Sequence, residues 1–162
     1  MGTITDVIIR EVRLVDYDAL ARFFEGNDIP RIVQHFHPFP LTSETANNIA
    51  RTSHLDHYYV ALLDDRIVGL SMLRGWDEGF SVPSFGIVVD QHFHGRGFGK
   101  RMLEHALEEA RRLGCQYVML SVYASNGAAL QLYQSMGFRE DTREPVMVAQ
   151  KPDEKIVMLK GL

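Results

Sequence analysis

The chain has 162 residues, 46% hydrophobic and 23% charged, enough for one domain, 1–162, with its own core and too apolar to be disordered throughout. A net charge of −4 excludes a nucleic-acid binder that relies on a generally basic surface, and a single cysteine, Cys115, excludes an intrachain disulfide. No run approaches the ~18 apolar residues that cross a bilayer, so a cytoplasmic monomer or homodimer without membrane or nucleic-acid partners is expected.

Met1–Arg10 lacks the basic-then-apolar order of a secretion signal. Val7-Ile8-Ile9 and Val12-Arg13-Leu14-Val15 read as an opening strand. Asp16 offers a cap for a helix from Tyr17 to about Glu25, which Gly26-Asn27-Asp28 ends. Ile29–Leu41, with prolines and histidines among aromatics, reads as a structured loop or broken helix, and Thr42-Ser43 caps a second helix to about Thr52. Tyr58–Leu63 and Ile67–Leu73 form strands joined by a hairpin turn at Asp64-Asp65-Arg66. Gly75–Pro83 is a loop, and Phe85–Val89, apolar without alternation, is a central strand.

Phe98–Leu113 is the clearest helix. Leu103, Ala106, Leu107, Ala110 and Leu113 make one apolar stripe, and Gly114 stops it. Tyr117–Val122 is the next buried strand. Asn126 caps a helix to Met136 with Ala129, Leu132, Tyr133 and Met136 inward, and Gly137 ends it. Phe138 starts another strand and Lys155–Lys160 forms the last. The order is β-α-α-β-β-β-α-β-α-β-β, an α/β fold with helices on both faces of a mixed sheet.

His94-Gly95-Arg96-Gly97-Phe98-Gly99 joins the central strand to the long helix. Unpaired N–H groups and the helix dipole make such a junction an anion site, and glycines let phosphate oxygens approach the backbone. Arg96, Lys100 and Arg101 add positive charge. A Walker loop fails because Arg101 follows Lys100 and His94 replaces the first glycine; a dinucleotide fingerprint fails because Lys100 stands where its third glycine belongs. A purely structural turn remains open on the glycines alone.

Ile87-Val88-Val89-Asp90 through Lys100, then Asn126-Gly127-Ala128-Ala129-Leu130-Gln131-Leu132-Tyr133 to Gly137-Phe138, resemble the two signature segments of the GCN5-related N-acetyltransferase (GNAT) superfamily. The first has the form Gln/Arg-x-x-Gly-x-Gly/Ala, from which His94 departs. The second is Asn-x-x-Ala-x-x-Leu-Tyr…Gly-Phe. Together they cover about a third of the chain. The resemblance implies the GNAT acyl-CoA N-acyltransferase fold, a mixed six- or seven-stranded sheet with about four helices, and acetyl-CoA as cosubstrate. It implies that the strand at Ile87, Val88 and Val89 splays from the strand at Ser121, that the coenzyme arm enters the gap, and that an amide near Val88 or Val89 faces the thioester carbonyl. Gly95, Arg96, Gly97, Phe98, Gly99 and Lys100 would hold the pyrophosphate, Asn126 the arm, and Tyr133 would protonate the thiolate. Asn126 as a plain helix cap and Tyr133 as a plain core residue stay open beside these roles.

The attacking amine must be neutral, so an amine of pKa near ~10 needs a base or a water relay. Relatives that acetylate protein N-termini resemble this chain at Ala124-Ser125-Asn126 but usually carry Glu where this chain has Ser121. Acceptor contacts must therefore come from loops. Trp76, Asp77 and Glu78 offer stacking and charge, His37 offers a base, and Ser121 lies beside them; each also has a plain surface or packing reading. His35-x-His37 and His92-x-His94 lack the Cys or carboxylate partners of a metal site, so none is expected. The acceptor expected is a small amine such as an amino sugar, with a protein amine as the alternative and acetyl-CoA sensing without turnover as a third reading.

Overall fold

The computed structural model describes residues 6–162; residues 1–5 of the expected domain, and with them half the stretch read for a secretion signal, lie outside it. Strands β1 (Ile8–Glu11), β2 (His57–Leu63), β3 (Arg66–Arg74), β4 (Ser84–Val89), β5 (Tyr117–Tyr123), β6 (Arg139–Val148) and β7 (Lys151–Gly161) form one sheet. Its order is β1-β2-β3-β4-β5-β7-β6, and β4 lies at its centre. Every pairing is antiparallel except β4 with β5. Two-residue turns at Asp64-Asp65 and Ala149-Gln150, all four residues at positive φ, reverse the chain with the twist that hairpins favour.

The helices are α1 (Tyr17–Asn27), α2 (Pro30–Val33), α3 (Ser43–Arg51), α4 (Phe98–Arg112) and α5 (Gly127–Ser135). On one face, α1–α3 bury Leu20, Phe24, Ile32, Phe36 and Ile49 against Leu70, Met72 and Val88. On the other, α4 and α5 pack Leu103, Leu107 and Tyr133 against Phe85, Val118, Leu120 and Val122. Each fully buried large side chain stabilises by roughly 1.5–3 kcal/mol, so the sheet carries a core on both faces. The mixed sheet is the one the sequence implies, with a fifth, one-turn helix where a structured loop or broken helix was expected.

Four local expectations need correction. The opening strand stops at Glu11: Val12 adds one bond to the Tyr58 carbonyl, then Leu14–Asp16 turns as a 3-10 helix and leaves Val15 81% exposed. Asp16 is the cause. Its carboxylate accepts from both terminal nitrogens of Arg10 at 2.8 Å and from the Arg13 N–H at 2.6 Å, bending the chain back. For the same reason its side chain does not cap α1, and the Arg10 guanidinium holds its carboxyl below the usual carboxylate range. Leu113 falls off the α4 stripe at 37% exposure, because the helix closes at Arg112; Phe98 and Met102 complete the buried face instead. Val89, the last residue of the strand read as apolar and central throughout, is only half-buried beside the buried Val88.

Candidate active site

β4 and β5 pair only at Ser84↔Met119 and Phe85↔Leu120. Beyond that point β4 follows β3 as far as Val89, while β5 follows β7 as far as Tyr123. The sheet therefore opens at its centre. The Asp90 N–H donates to the Val68 carbonyl at 2.8 Å, on the β3 side. Peptide groups alternate along a strand, so Gly86 and Val88 also face β3, and those of Ile87 and Val89 face the gap. His94 Nε2 donates to the Val89 carbonyl at 2.8 Å, which leaves the Val89 N–H pointing into the opening.

A cavity of about 1140 Å³ fills this gap and is lined from both faces of the sheet. On the α4–α5 face lie the turn after β4 and the start of α4. Gly97 caps α4 at φ +84°, a conformation that favours glycine, and brings no side chain to cover the amides of Phe98, Gly99 and Lys100. Gly95, Gly97, Phe98, Gly99 and Lys100 line the cavity, whereas Arg96 lies over the Phe93 ring with its guanidinium carbon 5.1 Å from the centroid. The loop is anchored from behind: Asn27 at the end of α1 donates to Asp90 and accepts from the Gln91 N–H, and Gln91 donates to the Gly26 carbonyl.

Asn126 caps α5 by accepting from the Ala129 N–H and also lines the cavity. Tyr133, 8% exposed, lines it too, held edge-on between the rings of Phe85 and Phe138. Burial pushes its hydroxyl pKa up to about 12, so it keeps its proton throughout the neutral range.

The opposite wall belongs to α2 and the chain after it. Arg31 donates to Gln91 just beyond β4, His35 bonds Ser125 just beyond β5, and His37 bonds the Tyr123 hydroxyl at the end of β5. This short segment thus bridges the mouth of the gap. Val118, Leu120 and Val122 pack toward α4–α5, so alternation turns Met119, Ser121 and Tyr123 toward α2, where all three line the cavity. Gly86 lets β4 lie close to Met72 of β3, whose side chain a Cβ there would meet at 3.1 Å.

Of the acceptor residues expected from sequence, His37, Glu78 and Ser121 line the cavity and Trp76 and Asp77 do not. Trp76 packs edge-on against His57, and Asp77 accepts from the Leu55 N–H at 2.7 Å beside His54. Sequence reasoning passed over Tyr123 and Asp153, and within the segment His35–Phe39 it singled out His37, not His35, as the candidate base. Ser125 donates to Asp153 from its hydroxyl at 2.5 Å and from its backbone N–H at 3.1 Å, contacts between residues 28 apart that no local motif marks. Among the described residues, no group of three or more His, Cys, Asp or Glu is arranged to hold a metal ion, and no helix is long and apolar enough to cross a membrane.

Residues 20–138 match the Acetyltransferase (GNAT) family. The ribosomal protein bS18-alanine N-acetyltransferase of Salmonella typhimurium is 34% identical over 137 residues, covering 81% of this chain and 89% of that enzyme. In fold, the chain resembles the ribosomal-protein-alanine N-acetyltransferase of Escherichia coli, with a TM-score of 0.74 at 22% identity over 96% of this chain and 93% of that one. It also resembles an acetyltransferase from Salmonella typhimurium solved with its cofactor acetyl-CoA, with a TM-score of 0.78 at 18% identity over 97% and 94% of the two chains.

Proposed function

This chain belongs to the GNAT family of acetyltransferases, and we propose that it transfers acetyl from acetyl-CoA to the α-amine of a protein that begins with alanine. The observation that carries the acceptor is the 34% identity with a ribosomal-protein alanine acetyltransferase over nearly the whole of that enzyme. The cavity supports the reading. The expectation of an amino sugar rested on stacking by Trp76 and pairing by Asp77 or Glu78; Trp76 and Asp77 are engaged elsewhere, and of the three Glu78 alone lines the cavity. The protein amine, the alternative at the sequence level, is the better supported acceptor.

The residues present fit the donor. Its pyrophosphate suits the exposed amides of Phe98, Gly99 and Lys100 with the Lys100 ammonium alongside. Its arm suits the unpaired edge of β4 at Ile87 and Val89, with Asn126 across from it. Acetyl-CoA supplies an activated acetyl group as a thioester. The Val89 N–H, fixed by the His94 bond to the same residue's carbonyl, is the donor we assign to the developing oxyanion. Tyr133 holds the proton for the departing thiolate. His94, although it departs from the family's Gln or Arg, thereby holds the strand edge instead of adding charge to the loop.

The test is release of free thiol from acetyl-CoA with a peptide that begins with alanine, the same peptide N-terminally blocked, and glucosamine. Release with the free peptide alone is expected. Faster release with glucosamine would overturn the acceptor, and tight coenzyme binding with no release from any amine would favour a sensor.

A further inference from the structure

The wall that faces the acceptor contains a hydrogen-bonded chain whose direction is fixed by counting protons. Asp153 is held below the usual carboxylate range, chiefly by the Ser125 bond, and an ionised carboxylate only accepts. The single hydroxyl proton of Ser125 therefore goes to Asp153 Oδ2, at 2.5 Å. Ser125 Oγ, 3.0 Å from His35 Nε2, must then accept from it. His35 consequently carries its proton on Nε2 and presents the lone pair of Nδ1, for which the described residues supply no donor. The ring lines the cavity and stacks on Tyr123, 6.3 Å between centroids. Burial lowers its pKa, so it is neutral at neutral pH.

We propose that His35 is the general base for the acceptor amine, with Ser125 and Asp153 as positioning residues that fix its tautomer and stabilise its charged form. This rests on the acetyl-transfer reading of the cavity, and it supplies from elsewhere in the fold the base that Ser121 cannot be. The amine nitrogen bonds to the thioester carbon and gives a proton to Nδ1; the C–S bond breaks, its electron pair stays on sulfur, and Tyr133 protonates the thiolate. His35 then releases its proton to solvent and Tyr133 regains one, so one amine proton is exchanged for one thiol proton. Around the imidazole stand His37 from its own segment, Tyr123 from β5 and Asp153 from β7, while Arg31 from α2, Arg74 from β3, Glu78 from the turn after it and Lys155 from β7 line the same cavity.

The experiment is the pH dependence of kcat and KM with acetyl-CoA and a peptide that begins with alanine, for the wild type, His35→Gln, His35→Ala, Asp153→Asn and Ser125→Ala, with acetyl-CoA affinity measured alongside. Glutamine keeps a donor to Ser125 but is no base. The wild-type rate should fall below an inflection as the imidazole protonates. His35→Gln should lose about 100-fold in kcat at pH 7 together with that inflection, keep its acetyl-CoA affinity, and recover rate with added imidazole. Asp153→Asn keeps an acceptor for Ser125 and removes the charge that stabilises the imidazolium, so its inflection should move to lower pH; Ser125→Ala should move the same way. If wild type turns over and His35→Gln retains both its rate and the inflection, the relay is overturned and the acetyl transfer stands. Should wild type bind acetyl-CoA and release no thiol, acetyl transfer to this acceptor fails and the relay falls with it. His35→Ala repeats the comparison if glutamine disturbs the wall.

Discussion

The two walls of the cavity are built in opposite ways. The donor wall is mostly backbone, supplied by the end of β4 and the first turn of α4, one continuous stretch of chain. The acceptor wall is made of side chains, with His35 and His37 after α2, Tyr123 on β5, Ser125 before α5 and Asp153 on β7. Backbone amides serve every molecule that carries the same phosphates and thioester, whichever residues flank them. Side chains on separate elements can be exchanged one at a time to suit a different amine. The difference teaches that donor chemistry is tied to the fold, while acceptor chemistry is tied to which residues the fold brings together.

Substitutions on each wall test that contrast. The largest effect is expected from Tyr133→Phe, which should lower kcat by roughly 100-fold or more while acetyl-CoA affinity stays within about twofold; an unchanged kcat would remove the acid from the donor wall. Next comes Gly97→Ala. A Cβ at φ +84° costs about 1–2 kcal/mol, so acetyl-CoA affinity measured by calorimetry should drop roughly tenfold with the peptide KM little altered. An equal loss for the peptide would mean that the walls are not separable. The smallest catalytic effect belongs to Trp76→Ala. The indole packs on His57 outside the cavity, so thermal stability should fall and kcat/KM should stay within about twofold; a tenfold loss in kcat/KM would return Trp76 to the acceptor site.

The same contrast explains what the sequence made legible. Gly95–Lys100 and Asn126–Tyr133 are contiguous, and glycine, a capping asparagine and helical periodicity each carry a local physical meaning, so the turn and the helix starts that line this side of the cavity could be read without coordinates. The splay between β4 and β5 came with the family resemblance; the structure adds that the peptide groups of Ile87 and Val89, and not that of Val88, face the gap. Ser125 and Asp153 lie 28 residues apart and meet only because β7 returns beside β5. No periodicity marks such a meeting. Trp76 and Asp77 misled for the complementary reason: an exposed-looking aromatic and acid in a loop suit a binding site, yet nearby residues His57 and Leu55 claim both. Asp16 looked like a cap because of its place before a helix, and Arg10 drew it away.

The interruption between β4 and β5 is more than a slot for one ligand: it is a window through the sheet, with α4–α5 on one side and α2 on the other. A window has two approaches. A coenzyme seated from one side leaves the other side to an amine attached to a whole folded protein, whose bulk need never pass the coenzyme. On the proposed reading traffic would be divided as well, the spent thiol leaving by one side and the acetylated chain by the other. On the same reading, a sheet left unfinished at its centre is what would let the domain hold its donor from one side and meet a protein acceptor from the other.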